Sequence, residues 1–135
     1  MPAADGSTAL DLYELLIETD FAAAHRLRDY QGNCERLHGH NWKVAVALRG
    51  RELDRLGLLL DFREARRLLA EVIGPFDHQC LNDLDAFRDQ NPTTENIART
   101  IFEGLSARLP AGVEVARVTA WESANCGASY TTEKP

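Results

Sequence analysis

Three cysteines, one methionine and two tryptophans are all that 135 residues carry of those types. So few thiols, in an odd number, give no disulfide framework to expect. Nowhere does an apolar run reach the roughly 18–20 residues that cross a bilayer. Met1–Thr8 lacks the basic-then-apolar layout of a secretory signal, so a reducing cytoplasm is the expected compartment. Positive charge is scarce as well: 15 Lys and Arg against 21 Asp and Glu leave a net −6. That balance argues against nucleic acid or an anionic membrane as principal partner, although a local basic patch could still hold a phosphorylated metabolite. Internal repeats and low-complexity segments are missing too. Apolar residues make up 44% of the chain, enough for a real core at this length, so residues 9–135 are expected to form one domain. Met1–Thr8 is expected to be frayed and without function.

Histidine is also rare, with four in the chain, and the placing of three of them is informative. His38 and His40 are two apart, so on an extended strand both imidazoles share a face. Trp42, Val44, Val46 and Leu48 continue that face in strict alternation, the pattern of a half-buried strand. Upstream, Tyr13, Leu15, Ile17, Thr19, Phe21, Ala23 and His25 alternate with Glu14, Glu18, Asp20 and Arg26. This predicts a first strand whose inward face ends on His25.

Asp61 is a candidate N-cap for a helix with Phe62, Ala65, Leu69, Val72 and Ile73 on one face, ended by Gly74-Pro75. Asp77–Asn82 reads as an irregular segment. Asn91-Pro92 looks like an N-cap with proline at the first helical position, opening a helix with Ile97, Ile101, Leu105 and Leu109 buried. Val113–Trp121 and Ala128–Thr132 are the last two strands. The expected order is β-β-α-α-β-β: an α+β fold with a four-stranded antiparallel sheet and two helices on one face. Two open sheet edges would need protection or pairing with other copies, which predicts a homo-oligomer.

Three converging imidazoles with no obvious fourth protein ligand form the arrangement of a catalytic zinc site, open to water or substrate. Iron, nickel and copper also accept imidazole. Cys34, just upstream, has three readings: a buried hydrophobe, a thiolate base beside the cation, or a fourth ligand that would close the site. Asp77-His78 is either a polar surface turn or an imidazole oriented by a carboxylate for proton transfer. Glu122, after Trp121, is a solvated strand end or an acceptor for the paired N–H groups of a guanidine-like heterocycle. Thr93 and Thr94 are capping residues or donors to a ligand at a helix N-terminus. Cys80 and Cys126 read as space fillers.

Six blocks, taken together and in order, resemble the 6-pyruvoyltetrahydropterin synthase family. They are Phe21–Leu27, Cys34–Trp42, Leu59–Phe62, Asp77–Asn82, Asn91–Asn96 and Trp121–Ser123, and the resemblance runs from Leu15 to Tyr130. It implies a T-fold (tunnelling fold) in which trimers close a β-barrel and two trimers stack as a homohexamer. It implies Zn2+ on the residues matching His25, His38 and His40, with Cys34 as general base and His78 and Asp77 as proton-relay partners. Glu122 matches the pterin anchor, in some descriptions joining the relay, and Thr93 and Thr94 match pocket residues. The implied substrate is 7,8-dihydroneopterin triphosphate. Three residues between Cys34 and His38 look like the bacterial branch that makes 6-carboxytetrahydropterin for queuosine; the pyruvoyl branch has a longer insertion there. Phe76 stands where the family more often has leucine. A non-catalytic zinc-containing binder of pterins or purines is the reading from a different class, and it would need no proton relay.

Overall fold

The computed structural model describes residues 9–30, 32 and 36–133; Met1–Thr8 and Cys34, to which expectations were attached above, lie outside the described residues. Strand β1 (Tyr13–His25) and strand β2 (His38–Gly50) pair antiparallel along their whole lengths. Their alternation decides which way each side chain faces. Ile17, Phe21, Ala23 and His25 of β1, and Trp42, Val44, Val46 and Leu48 of β2, are buried on the inner face. Each large apolar side chain placed there contributes about 1.5–3 kcal/mol. A one-residue slip would expose the whole set and turn His38 and His40 outward. The register that hides the core therefore also aims the imidazoles.

Helix α1 (Phe62–Ile73) starts at Asp61, whose carboxylate accepts from the Arg63 N–H. It buries Ala65, Leu68, Leu69, Val72 and Ile73. Phe62 does not join them: it is 53% exposed, because the first helical residue sits before the stripe has turned toward the sheet. After Gly74, a turn leads into the short strand β3 (Gln79–Cys80) and two single 3-10 turns, Leu81–Asp83 and Asp85–Phe87. Helix α2 (Thr94–Ser106) buries Ile97, Ala98, Ile101, Phe102 and Leu105. Its N-cap is Thr93, not Asn91: the Thr93 hydroxyl accepts from the Asn96 N–H at 3.1 Å. Asn91 is occupied elsewhere, bonding the backbone of Arg28. Leu109 lies beyond the helix and is partly buried against the core.

Strands β4 (Glu114–Trp121) and β5 (Gly127–Tyr130) complete the sheet. Its order is β3-β1-β2-β4-β5, five strands rather than the four expected, and β3 pairs parallel to β1, so the sheet is mixed. Two residues are too few to show periodicity, which is why β3 reads as an irregular segment in the sequence. A register shift opposite Ala47/Leu48 leaves Ala116 as a bulge and resets the alternation of β4. Val115, Val118 and Ala120 consequently all join the core. Both helices pack on this same inner face, as expected for the α+β arrangement.

Candidate metal centre and its cleft

His25 and His38 end and begin the two long strands and stand directly opposite each other in the register. His40, two residues on, shares their face. The ring centroids are 4.6 Å apart for His25 and His38, 4.7 Å for His38 and His40, and 5.2 Å for His25 and His40. Trp42 forms the floor, edge-on to His25 at 5.0 Å and to His40 at 5.4 Å. Its indole N–H donates to the Ala23 carbonyl at 3.3 Å, so the floor is tied to the strand that carries His25.

The hydrogen bonds assign the free nitrogens. His25 is 2% exposed and its Nδ1 lies 2.7 Å from the Pro92 carbonyl. A carbonyl only accepts, so Nδ1 carries a proton; in the neutral ring Nε2 then keeps its lone pair. His38 repeats the pattern, with Nδ1 2.6 Å from the Arg36 carbonyl. Glu122 brings a carboxylate to the same point, its Oε1 3.2 Å from His25 Nε2 and 3.1 Å from His40 Nε2. Although that last distance is short, the angles do not make a hydrogen bond, and His40 Nε2 is buried without a partner. Burial is the largest influence on His40 and lowers its pKa from the ordinary 6.5; Glu122 opposes this, while His25 and His38 add to it.

Glu122 Oε1 and His25 Nε2 stand at hydrogen-bond distance, 3.2 Å, so the pair is held either by a proton on Nε2 or, with Nε2 bare, by a cation between them. The ligand atoms of His25, His38, His40 and Glu122 all lie within 4.8 Å of one another. In a tetrahedral site with bonds of roughly 2.0–2.2 Å the ligand atoms lie about 3.3–3.6 Å apart, so this group would contract to close around a cation. The orphaned His40 nitrogen is the observation that favours a cation here. An unpaired buried polar atom is costly, and this one faces the Glu122 carboxylate and two further imidazoles.

Beside the imidazoles lies an open cleft of about 540 Å³ lined by Ala22–Ala24, Gly39–Asn41 and His78–Cys80. The small side chains of Ala22, Ala24 and Gly39 leave it room, and His40 joins it to the candidate metal centre. His78 stands at its edge, 81% exposed at the side chain, with Nδ1 3.0 Å from Asp77 Oδ1. Its backbone has φ +58, a left-handed conformation that is uncommon for a residue with a Cβ. Two bonds to one residue hold it there: the His78 N–H donates to the Ala22 carbonyl at 2.6 Å, and Asp77 Oδ1 accepts the Ala22 N–H at 3.0 Å. That N–H bond is the largest cause of a lowered Asp77 pKa, with the neighbouring His78 adding to it. A larger cavity of about 960 Å³ surrounds Arg49–Asp54 and Pro110–Glu114 at the other end of β2, and none of the candidate site residues lines it.

The structure thus brings His25, His38, His40 and Glu122 together and places His78, paired with Asp77, on the adjoining cleft. The Thr93 hydroxyl serves as a helix cap. Thr93 and Thr94 stand next to the site through Pro92, whose carbonyl touches His25. That Glu122 touches the imidazoles is legible only once the strand register is known. Lys43 pairs with Trp121, so Glu122 falls opposite Trp42 and on the side of His40. Asn82 and Asn91, which bond the backbone of Arg26 and Arg28 beyond His25, are read in the sequence only as part of an irregular segment and as a helix cap.

Residues 14–133 match the family model described as 6-pyruvoyl tetrahydropterin synthase. The chain is 37% identical over 102 residues to a Bacillus subtilis protein named 6-carboxy-5,6,7,8-tetrahydropterin synthase, spanning 72% of this chain and 68% of that one. It is 33% identical over 113 residues to a Pyrococcus furiosus dihydroneopterin monophosphate aldolase, spanning 84% and 92%. Among solved structures it is similar to the 6-pyruvoyl tetrahydropterin synthase of Caenorhabditis elegans. There the TM-score is 0.82 at 26% identity, over 92% of this chain and 98% of that one.

Proposed function

Because the chain belongs to the 6-pyruvoyl tetrahydropterin synthase family, whose enzymes are lyases, we propose that it is a zinc-dependent 6-carboxytetrahydropterin synthase. It takes 7,8-dihydroneopterin triphosphate and water to 6-carboxy-5,6,7,8-tetrahydropterin, acetaldehyde and triphosphate, in the cytoplasm, as a step toward queuosine. Residues 9–135 act as one catalytic domain. The observation that carries the reading is the buried Nε2 of His40, which makes no hydrogen bond and stands within 4.8 Å of the ligand atoms of His25, His38 and Glu122. The carboxy product is favoured over the pyruvoyl one by the Bacillus subtilis relative and by the short Cys34 to His38 spacing.

His25, His38 and His40 would hold the cation. Bound there, zinc supplies positive charge that lowers the cost of negative charge on the substrate's side-chain hydroxyls. Cys34, as thiolate, removes the side-chain proton. His78, oriented by the Asp77 carboxylate 3.0 Å away, returns a proton toward the ring. Glu122 takes the paired N–H donors of the pterin's guanidine-like edge on its two oxygens, with Thr93 and Thr94 at the wall of the pocket. The closeness of Glu122 Oε1 to two imidazole nitrogens favours a second role for it, as an oxygen ligand. Glu122→Gln separates the two, since an anchor loses substrate affinity and a ligand loses zinc. A homohexamer of two trimers is the assembly proposed; among the described residues β5 is an edge strand, which favours pairing with another copy.

The test is product identification. Zinc-loaded protein is incubated with 7,8-dihydroneopterin triphosphate and the products are read by mass spectrometry. A 6-carboxy pterin with acetaldehyde supports the proposal. A 6-pyruvoyl product would move the protein to the neighbouring branch. Turnover of the monophosphate alone would point to an aldolase like the Pyrococcus furiosus relative. Zinc binding with no turnover would favour a pterin-binding module.

A further inference from the structure

Strand β1 ends at His25, and residues 26–28 lie in no strand. Two asparagine side chains bond their backbone. The Asn82 amide accepts from the Arg26 N–H at 2.9 Å and donates to the Arg26 carbonyl at 3.0 Å. Asn91 treats Arg28 the same way, at 2.9 and 3.0 Å. Each amide meets one N–H and one C=O, so only one orientation of each side chain satisfies both. The Arg28 guanidinium then reaches back and donates to the carbonyls of Phe87 at 2.7 Å, Gln90 at 3.2 Å and Asn82 at 3.4 Å. On its far side, the Asn91 carbonyl accepts from the Asn96 side chain at 2.9 Å, which ties the segment to the first turn of α2.

The residue after Asn91 is the fully buried Pro92, whose carbonyl accepts from His25 Nδ1 at 2.7 Å. The group that fixes the His25 tautomer is therefore the next backbone unit along from the clamp. Proline offers no N–H of its own to anchor that unit. Its position is set by Asn91 on one side and by the Thr93 cap on the other.

We infer that Asn91 and Arg28 are positioning residues of the metal centre: their clamp holds the Pro92 carbonyl against His25 Nδ1 and so presents His25 Nε2 to the cation. Partners of a ligating imidazole's second nitrogen typically change metal affinity by about 10–100-fold when removed. The inference rests on the reading of His25, His38 and His40 as a metal site. The alternative is that the clamp merely staples a loop, in which case it affects folding and not affinity.

Zinc affinity, by competition with a chromophoric chelator, and melting of the metal-free protein separate these. Asn91→Ala is expected to weaken zinc binding about tenfold or more. Asn91→Asp keeps the acceptor for the Arg28 N–H and loses the donor to its carbonyl, and is expected to fall between Asn91→Ala and the parent. Asp61→Ala, which removes the α1 cap from Arg63, is the control: it should lower the melting temperature and leave affinity within about twofold. If the Asn91 variants melt lower yet bind zinc within about twofold of the parent, the positioning role is overturned. Should Asn91→Ala fail to fold, Asn91→Asp decides alone. Absence of zinc binding by the unsubstituted protein would overturn the metal-site reading and this inference with it, an outcome distinct from either variant result.

Discussion

Replacing His40 with phenylalanine keeps a ring in place and removes a nitrogen that has no partner. An unpaired buried polar atom costs about 1–3 kcal/mol, so metal-free His40→Phe is expected to be at least as stable as the metal-free parent. With zinc the order reverses. At free zinc 100 times its dissociation constant, binding adds about 2.7 kcal/mol. For 135 residues, an unfolding entropy of about 2.1 cal/mol/K per residue gives roughly 0.28 kcal/mol/K, so the parent's Tm should rise by about 10 °C. In His40→Phe only two imidazoles remain, and the rise should shrink to below about 2 °C at the same zinc concentration. Calorimetry on chelator-treated and zinc-loaded samples, at one protein concentration, reads all four values. A full zinc shift in His40→Phe would refute its role as a ligand. A metal-free variant destabilised by about 2 kcal/mol or more would refute the claim that its nitrogen is an unpaid acceptor awaiting a cation.

Acid should destabilise the metal-free protein. Because the folded pKa of His40 lies below its ordinary 6.5, the unfolded chain binds the proton first. Stability present above that value is lost as pH falls through the lowered one; urea unfolding that is flat across this range would count against the burial of His40. Asp77→Asn retains an oxygen for the Ala22 N–H but loses the charge facing His78. Its fold should survive while kcat drops about 100-fold, and unchanged kcat would remove Asp77 from the relay. Cys34→Ala should keep zinc and lose turnover by about 100-fold or more, with full activity contradicting its role as base. Gly50→Ala would place a Cβ 2.5 Å from both the Gly112 carbonyl oxygen and Leu59 Cδ1. The backbone oxygen cannot swing away, so a loss of about 1–3 kcal/mol is expected with zinc affinity unchanged, and an unaltered Tm would show that the hairpin end yields.

Much of this site is legible in the sequence because strand parity is a strong code. The alternation from Tyr13 puts His25 inward, and that from Trp42 does the same for His38 and His40. Antiparallel pairing then sets His25 opposite His38. The same code reaches Glu122 only after the pairing of Lys43 with Trp121 is fixed, which no local pattern reveals. Bonds between side chain and backbone have no period at all. The Asn82, Asn91 and Arg28 clamp is invisible for that reason, and Asn91 looks like a helix cap because asparagine before proline usually serves as one. Strand β3 is missed on similar grounds. It exists because Asp77 and His78 hook onto Ala22, not because Gln79 and Cys80 favour a strand. Phe62 misleads in the opposite way, since helical spacing marks a face but not where along the helix that face meets the sheet.

The most direct measurement is an X-ray absorption spectrum at the zinc edge of the loaded protein. Three imidazole nitrogens at roughly 2.0–2.1 Å, completed by oxygen, are predicted. A sulfur scatterer at roughly 2.3 Å would place a cysteine on the metal, close the site and contradict the account.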